Sequence, residues 1–88
     1  MSDLELAYNI LYKVINEEAK SNDEINKIVD EASNLAFITK NVYGVLENKI
    51  YIDYMIRKLS TVRLKKIHPS VLVILEIGIY NIHFLNTK

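Results

Sequence analysis

The residue types that most often carry out chemistry are sparse in this 88-residue sequence. The two histidines, His68 and His83, lie far apart in the chain, with no carboxylate at a ligand spacing around either. Neither is therefore predicted to bind a metal ion. His68 precedes Pro69 and is predicted to lie in a loop or to cap a helix, and His83 is predicted to be packed or half-exposed. Cysteine is absent, which excludes disulfides, thiolate metal sites and cysteine nucleophiles.

The carboxylates and glycines do not suggest an active site either. Glu17 and Glu18, like Asp30 and Glu31, are sequence neighbours, so they point to different faces of a helix and are typical of a solvated surface. Acid–base catalysis needs carboxylates that converge in a cleft. The two glycines are isolated, which excludes a glycine-rich phosphate loop. The chain is therefore expected to bind rather than to catalyse.

One group of charged residues could bind a ligand. We call it the basic cluster; its members are Arg57, Lys58, Arg63, Lys65 and Lys66. Five cations in one short stretch could neutralise the phosphates of a nucleic acid, an attraction that weakens as salt rises. The alternative is an ordinary solvated surface, with basic residues placed where they suit the C-terminal end of a helix dipole.

Tyrosine can stack on unpaired bases, and the chain contains six of them. Tyr8 and Tyr12 are spaced i, i+4 beside an apolar stripe, which more often indicates the edge of a core. Burial in the core is therefore the favoured interpretation for most of the six, which are Tyr8, Tyr12, Tyr43, Tyr51, Tyr54 and Tyr80.

Apolar residues at three- and four-residue intervals predict helices throughout. Ser2 with Glu5, and Ser21 with Glu24, have the spacing of a capping box and predict the starts of the first two helices. The predicted helices run from about residue 3 to 19, 21 to 33, 35 to 48, 50 to 60 and 69 to 85. A basic loop anchored by Leu64 and Ile67 leads to Pro69, which suits a first helical turn.

The fifth predicted helix is apolar almost all round, so it is predicted to lie in the centre of a bundle. A β-strand is the alternative, but the segment is too long and lacks sustained alternation. Gly44 and Gly78 interrupt helical apolar stripes, at about 1 kcal/mol each relative to alanine. Close helix packing is the better explanation for Gly44, because the pattern continues beyond it, and Gly78 also lies inside a helix with no end nearby.

Composition and charge place the chain among globular domains. Half of the residues are hydrophobic, a quarter are charged, and the net charge is zero. Residues 1–36 hold three bases and eight acids, whereas residues 37–88 hold eight bases and three acids. Only the second half could therefore offer a basic face to a nucleic acid. The start of the chain has no secretory pattern, and its most apolar stretch is too short to cross a bilayer. The expected location is the cytoplasm.

Three stretches, residues 35–46, 52–56 and 68–85, together resemble a known family. Their most distinctive parts are the run VYGVL, which contains Tyr43 and Gly44, and the run ILEIGIY, which contains Gly78 and Tyr80. The sequence resembles the NusB-like N-terminal domain of bacterial ribosomal RNA cytosine-5 methyltransferases of the Sun (RsmB) type. The antitermination factor NusB shares the fold, but Tyr43-Gly44-Val45 favours the methyltransferase branch.

The resemblance implies an all-α fold, a compact NusB-like bundle of about five helices that forms one domain over residues 1–88. It also implies a role in RNA recognition beside an S-adenosylmethionine-dependent catalytic domain that lies further along a longer chain. We expect these residues to bind no cofactor themselves. The family fold continues through more helices, so the chain is expected to be the front part of such a protein. An uncovered apolar face on the fifth helix would then favour weak self-association or make the domain only marginally stable.

Two main hypotheses follow. In the first, the domain binds ribosomal RNA for the catalytic domain, using the basic cluster. In the second, it is a protein-interaction or structural module that docks on the catalytic domain in the same chain, or on an antitermination partner. Zero net charge supports the second hypothesis. So does the start of the first helix, where this chain has Leu4-Glu5-Leu6 and the family usually has arginines. An independent enzyme has almost no support.

Overall fold

The computed structural model describes residues 1–85, and every regular element in that range is helical. The prediction of an all-α domain is therefore confirmed. The elements are α1 (Asp3–Glu17), α2 (Ser21–Lys27), α3 (Leu35–Glu47), α4 (Lys49–Leu59), a 3-10 turn (Leu64–Lys66), α5 (Pro69–Ile79) and a π-helical segment (Tyr80–Phe84) that continues α5.

The start of α1 is held by the capping box that the sequence predicted. The Ser2 hydroxyl accepts from the backbone N–H of Glu5 at 3.1 Å, and the Glu5 carboxylate accepts from the backbone N–H of Ser2 at 3.0 Å. Asp3 then ties this end of α1 to the approach to α3. Its two carboxylate oxygens accept from the backbone N–H groups of Ser33 and Asn34, both at 2.9 Å.

The predicted capping box at Ser21 and Glu24 is wrong. Lys20 is the capping residue of α2 and makes no side-chain cap, while Ser21 is already inside the first turn. Glu24 is nearly buried and pairs instead with Lys27 at 2.9 Å and Lys13 at 3.6 Å. The predicted length is also wrong, because α2 ends at Lys27 and turns follow it.

The core is formed by one continuous set of apolar side chains, to which α5 contributes Val73 and Ile77. The prediction of a central helix is only partly correct: α5 contacts α1, α3 and α4, but Val71, Ile74 and Leu75 are exposed. Leu64 and Ile67, the predicted anchors of the basic loop, are half-buried against this core. The buried hydrophobic residues are Leu6, Ala7, Ile10, Leu11, Ile25, Ile38, Val42, Val45, Ile52, Ile56, Val73, Ile77 and Tyr80.

The two glycines have different environments. Gly44 is buried, and a Cβ built on it would overlap the far edge of the Tyr80 ring, so close packing at Gly44 is confirmed. A Cβ built on Gly78 would meet no atom of another described element within 4 Å. Gly78 therefore has no packing role within the described residues. It was predicted as part of a structural motif, but it lies in an open groove instead.

The fifth helix was predicted to run as one α-helix to Leu85, but the α-helix ends at Ile79 and the next turn is π-helical. Asn81 lies in this π-helical turn. Its amide donates to the Asn41 side chain of α3 at 2.7 Å and to the backbone carbonyl of Ile77 at 2.8 Å. Asn41 is fully buried, so this hydrogen bond satisfies a polar group of the core.

Within residues 1–85, no helix has both the length and the hydrophobicity that crossing a bilayer requires.

Candidate nucleic-acid interface

The basic cluster lies where α4 ends and the following loop begins. Arg57 and Lys58 occupy the last turn of α4, where their charge is favourable against the C-terminal end of the helix dipole. Arg63 precedes the 3-10 turn, and Lys65 and Lys66 form part of it. The turn packs against α4, so the structure brings the two parts of the cluster to one end of that helix.

All five side chains of the basic cluster are exposed. Within the described part of the chain, none of them forms an ion pair, whereas Lys13, Lys27 and Lys49 do. Cations that are not neutralised by neighbouring carboxylates keep their counterions and can exchange them for phosphates. Both the predicted binding surface and the solvated-surface alternative place these residues in water, so the binding role of the cluster stays a prediction.

Lys58 also joins the cluster to an aromatic ring. Its Nζ lies 5.5 Å from the centroid of Tyr54, a distance at which a cation is attracted to the face of the ring. Tyr54 precedes Lys58 by one helical turn, so the two side chains lie on the same face of α4. Tyr54 is 46% exposed. The basic cluster is thus continuous with an exposed aromatic surface.

Tyr51, which precedes Tyr54 on α4, is also exposed and lies beside two further aromatic rings. The sequence did not predict this arrangement. The ring centroid of Tyr51 lies 5.7 Å from that of His83 and 5.9 Å from that of Phe84. The Tyr51 hydroxyl is 3.5 Å from His83 Nε2. The sequence placed these residues on two separate predicted helices, and only their tertiary packing shows that they share one surface.

The predicted burial of most tyrosines is only partly correct. Tyr80 is buried, and burial followed by the charge of Glu47 raises the pKa of its phenol. Tyr8 and Tyr12 are half-buried with ring centroids 6.2 Å apart, and Tyr43 is half-buried as well. Tyr51 and Tyr54 are exposed instead.

A group of polar side chains lies between α4 and α5. Lys49, at the start of α4, donates to Asp53 at 2.8 Å, and its Nζ lies 3.5 Å from a carboxylate oxygen of Glu76. Glu76 is fully buried, and neither of its oxygens has a hydrogen-bond partner within the described residues. Burial, followed by the neighbouring Asp53 carboxylate, raises the pKa of Glu76 to about 8. When Glu76 is protonated, its O–H can serve as a donor for the Asp53 carboxylate, whose buried Oδ1 has no other partner among the described residues.

An open apolar groove of about 640 Å³ lies on another side of the domain, between the N-terminal half of α1 and the end of α5. Gly78 lies in this groove, with Ile74 one turn before it and Ile82 one turn after it. Ile74 is 57% exposed and Ile82 is 71% exposed. These residues form the uncovered face of the fifth helix that the sequence predicted.

The two histidines have different local contacts. His68 caps α5, because its Nδ1 accepts from the backbone N–H of Ser70 at 3.2 Å, as the cap prediction required. His83 is exposed and packs edge-on against Phe84. No group of three or more potential metal ligands occurs among residues 1–85.

Comparison with known proteins agrees with the resemblance read from the sequence. A model of the NusB family matches residues 1–88. The chain is also similar to the probable ribosomal RNA small subunit methyltransferase B of Bacillus subtilis (strain 168), with 31% identity over 85 residues. This alignment covers 92% of the chain but 19% of the relative, so the chain spans about a fifth of that protein's length. No solved structure matches the chain.

Proposed function

Because this chain belongs to the NusB family, we propose that it is an RNA-binding accessory domain that helps to position ribosomal RNA for a cytosine-5 methyltransferase domain of a longer protein. The observation that carries the proposal is the basic cluster, with five exposed cations that have no ion-pair partner within residues 1–85. Similarity to the Bacillus ribosomal RNA small subunit methyltransferase supports ribosomal RNA as the target and methyl transfer as the chemistry.

In this proposal the domain binds by charge and leaves the chemistry to other residues. Lysine and arginine contacts to phosphates position an RNA without reading its sequence. The methyl donor, S-adenosylmethionine, would be bound by the catalytic domain. Methyl transfer to ribosomal RNA by residues 1–88 alone would contradict this division of roles.

The test is a titration of the isotope-labelled domain with a small-subunit ribosomal RNA hairpin at low salt. Binding is monitored through the NMR signals of the backbone amides. We expect the signals of residues 57–66 to shift most, and the affinity to fall steeply as salt rises. Replacing Arg57 and Lys58 together by alanine should weaken binding and flatten the salt dependence by about one unit of slope per lost phosphate contact.

A matched control removes two charges elsewhere. Lys20 and Lys40 are exposed and lie outside α4 and its loop, so the Lys20→Ala/Lys40→Ala double variant changes the net charge equally. It should bind nearly as well as the wild type. Equal losses in the two double variants, or unchanged signals at residues 57–66 in the wild type, would refute the basic cluster as the binding surface.

The apolar groove favours a second candidate function, docking against the catalytic domain in the same protein. Ile74 and Ile82 expose apolar surface around Gly78, and at this glycine a partner helix could approach the backbone closely. Adding the separately expressed methyltransferase domain should then shift the signals of Gly78 and Ile82, in a complex that salt does not weaken. A salt-sensitive complex seen only at residues 57–66 would contradict docking through the groove.

A further inference from the structure

Exposed aromatic rings lie beside the basic cluster, and phosphate binding by the cations would not require them. We define the aromatic strip as Tyr51, Tyr54, His83 and Phe84. Tyr51 is 47% exposed and Phe84 is 38% exposed, so each presents part of its ring to solvent. Single exposed apolar side chains are common on protein surfaces, but a contiguous patch of exposed rings is typical of a binding surface.

Two residues of the strip and one member of the basic cluster lie on one face of α4. Tyr51, Tyr54 and Lys58 are spaced three and four residues apart, which aligns them along the helix over about 10 Å. Lys58 already contacts the Tyr54 ring through its charge. A strand of nucleic acid that follows this face would meet rings at one end and cations at the other.

Phe84, one residue of the strip, packs on the buried Tyr80 side chain. Phe84 stacks on Tyr80, with ring centroids 5.5 Å apart and planes inclined by 23°. Tyr80 in turn is buried and fills the space over Gly44. The Phe84 ring meets Tyr51 edge-on, at 85°. Because the rings are held by these contacts before a ligand arrives, little conformational freedom remains to be lost on binding.

From this geometry we infer that the aromatic strip stacks unpaired bases of a single-stranded or looped RNA whose phosphates contact the basic cluster. The inference rests on the proposed function and specifies the kind of RNA. Every base has a flat face that can stack on an aromatic ring, but in a duplex those faces are covered by neighbouring bases. The domain should therefore prefer unpaired RNA to duplex RNA of the same length.

The deciding experiment measures the binding of a short fluorescent single-stranded RNA, and of the same strand annealed to its complement, at low salt. The wild type should bind the single strand more tightly. Tyr51→Leu and Phe84→Leu should each weaken single-strand binding about 5- to 30-fold and leave duplex binding unchanged. The salt dependence should stay the same, because no phosphate contact is lost.

Two variants serve as controls for the ring itself. Tyr51→Phe keeps the aromatic face and loses only the hydroxyl, so it should bind the single strand as well as the wild type. Ile50→Ala removes apolar surface at a neighbouring residue that is 90% exposed, and should have little effect. Melting curves verify that each variant is folded. Tyr54→Leu provides a further test in case Tyr51→Leu is destabilised.

The outcomes separate this inference from the proposed function. Equal binding of single strand and duplex, with no loss in Tyr51→Leu, would overturn the stacking surface and leave RNA binding by the basic cluster intact. Failure of the wild type to bind either RNA would overturn both. If Tyr51→Leu and Phe84→Leu weakened only a complex with the methyltransferase domain, the strip would be a protein contact and the inference would be wrong.

Discussion

The Tyr80 ring occupies the space directly over Gly44, so that a side chain on Gly44 would overlap the far edge of the ring. Gly44 lies in α3, and Tyr80 begins the π-helical segment after α5. The contact therefore fixes how closely these two elements approach. It also connects the core to the aromatic strip, because Phe84 stacks on Tyr80.

The first prediction compares the two glycines. Gly44→Ala should lower the free energy of unfolding by about 1–3 kcal/mol, because the new methyl group forces the buried Tyr80 ring to move. Gly78→Ala should raise it by up to about 1 kcal/mol, because alanine favours the helix and its Cβ meets no atom within 4 Å among the described residues. Thermal unfolding measures both changes, because each kcal/mol shifts the melting temperature of a domain of this size by about 4–8 °C. Shifts in the same direction would contradict the structure.

The second prediction concerns pH. The pKa of Glu76 is raised from 4.5 to about 8 by burial and by Asp53, so the folded protein holds a proton that the unfolded chain releases above about pH 4.5. The contribution of Glu76 to the free energy of unfolding should therefore be largest below about pH 4.5 and should fall as the pH rises towards 8. Between pH 5.5 and 8, the melting temperature of the wild type should decrease.

The test of this assignment is the difference between two melting series. Glu76→Gln keeps the shape of the side chain and its ability to donate to Asp53, but it cannot ionise, so its stability should change less with pH and exceed that of the wild type at pH 8. Glu17→Gln, at an exposed position, should follow the wild-type curve. Parallel curves for the wild type and Glu76→Gln would show that Glu76 does not titrate in this range.

The third prediction concerns Asp3, whose carboxylate accepts from the backbone N–H groups of Ser33 and Asn34. Asp3→Ala should destabilise the domain by about 1–2 kcal/mol, because two charge-assisted hydrogen bonds and a favourable helix-dipole contact are lost. Asp30→Ala removes an exposed carboxylate with no such contacts among residues 1–85 and should be nearly neutral. Hydrogen exchange at Asn34 should also accelerate in Asp3→Ala alone.

The fourth prediction concerns self-association through the groove. We expect the sedimentation coefficient of the wild type to rise with concentration, because Ile74 and Ile82 expose apolar surface in one continuous groove. Ile82→Glu should remain monomeric, whereas Ile50→Glu, a similar change outside the groove, should behave like the wild type. A wild type that stays monomeric at high concentration would refute self-association through this surface.

Local signals in the sequence were sufficient where a single chemical contact decides the structure. Ser2 with Glu5, and Pro69 behind His68, define helix starts that the structure confirms. Ser21 with Glu24 has the same spacing and failed, because Glu24 forms ion pairs with Lys13 and Lys27 instead of reaching back to the backbone. Spacing cannot show which of two nearby partners a carboxylate will take.

The site shows the same limit. The basic cluster could be identified from the sequence, because its residues are close together in the chain. The aromatic strip could not be identified, because Tyr51 meets His83 and Phe84 only after α4 and the end of α5 pack together. The buried pairing of Glu76 with Lys49 also depends on that packing. In the sequence, Glu76 is one acidic residue in an apolar helix.

The central position of α5 has a consequence for synthesis on the ribosome. This helix contacts α1, α3 and α4, yet it is translated after all three of them. The nascent chain must therefore carry the apolar faces of the earlier helices without their central partner until residues 69–79 have left the exit tunnel. A rare codon or stalled ribosome shortly before Pro69 would prolong exposure of these faces and make the unfinished chain a target for chaperones.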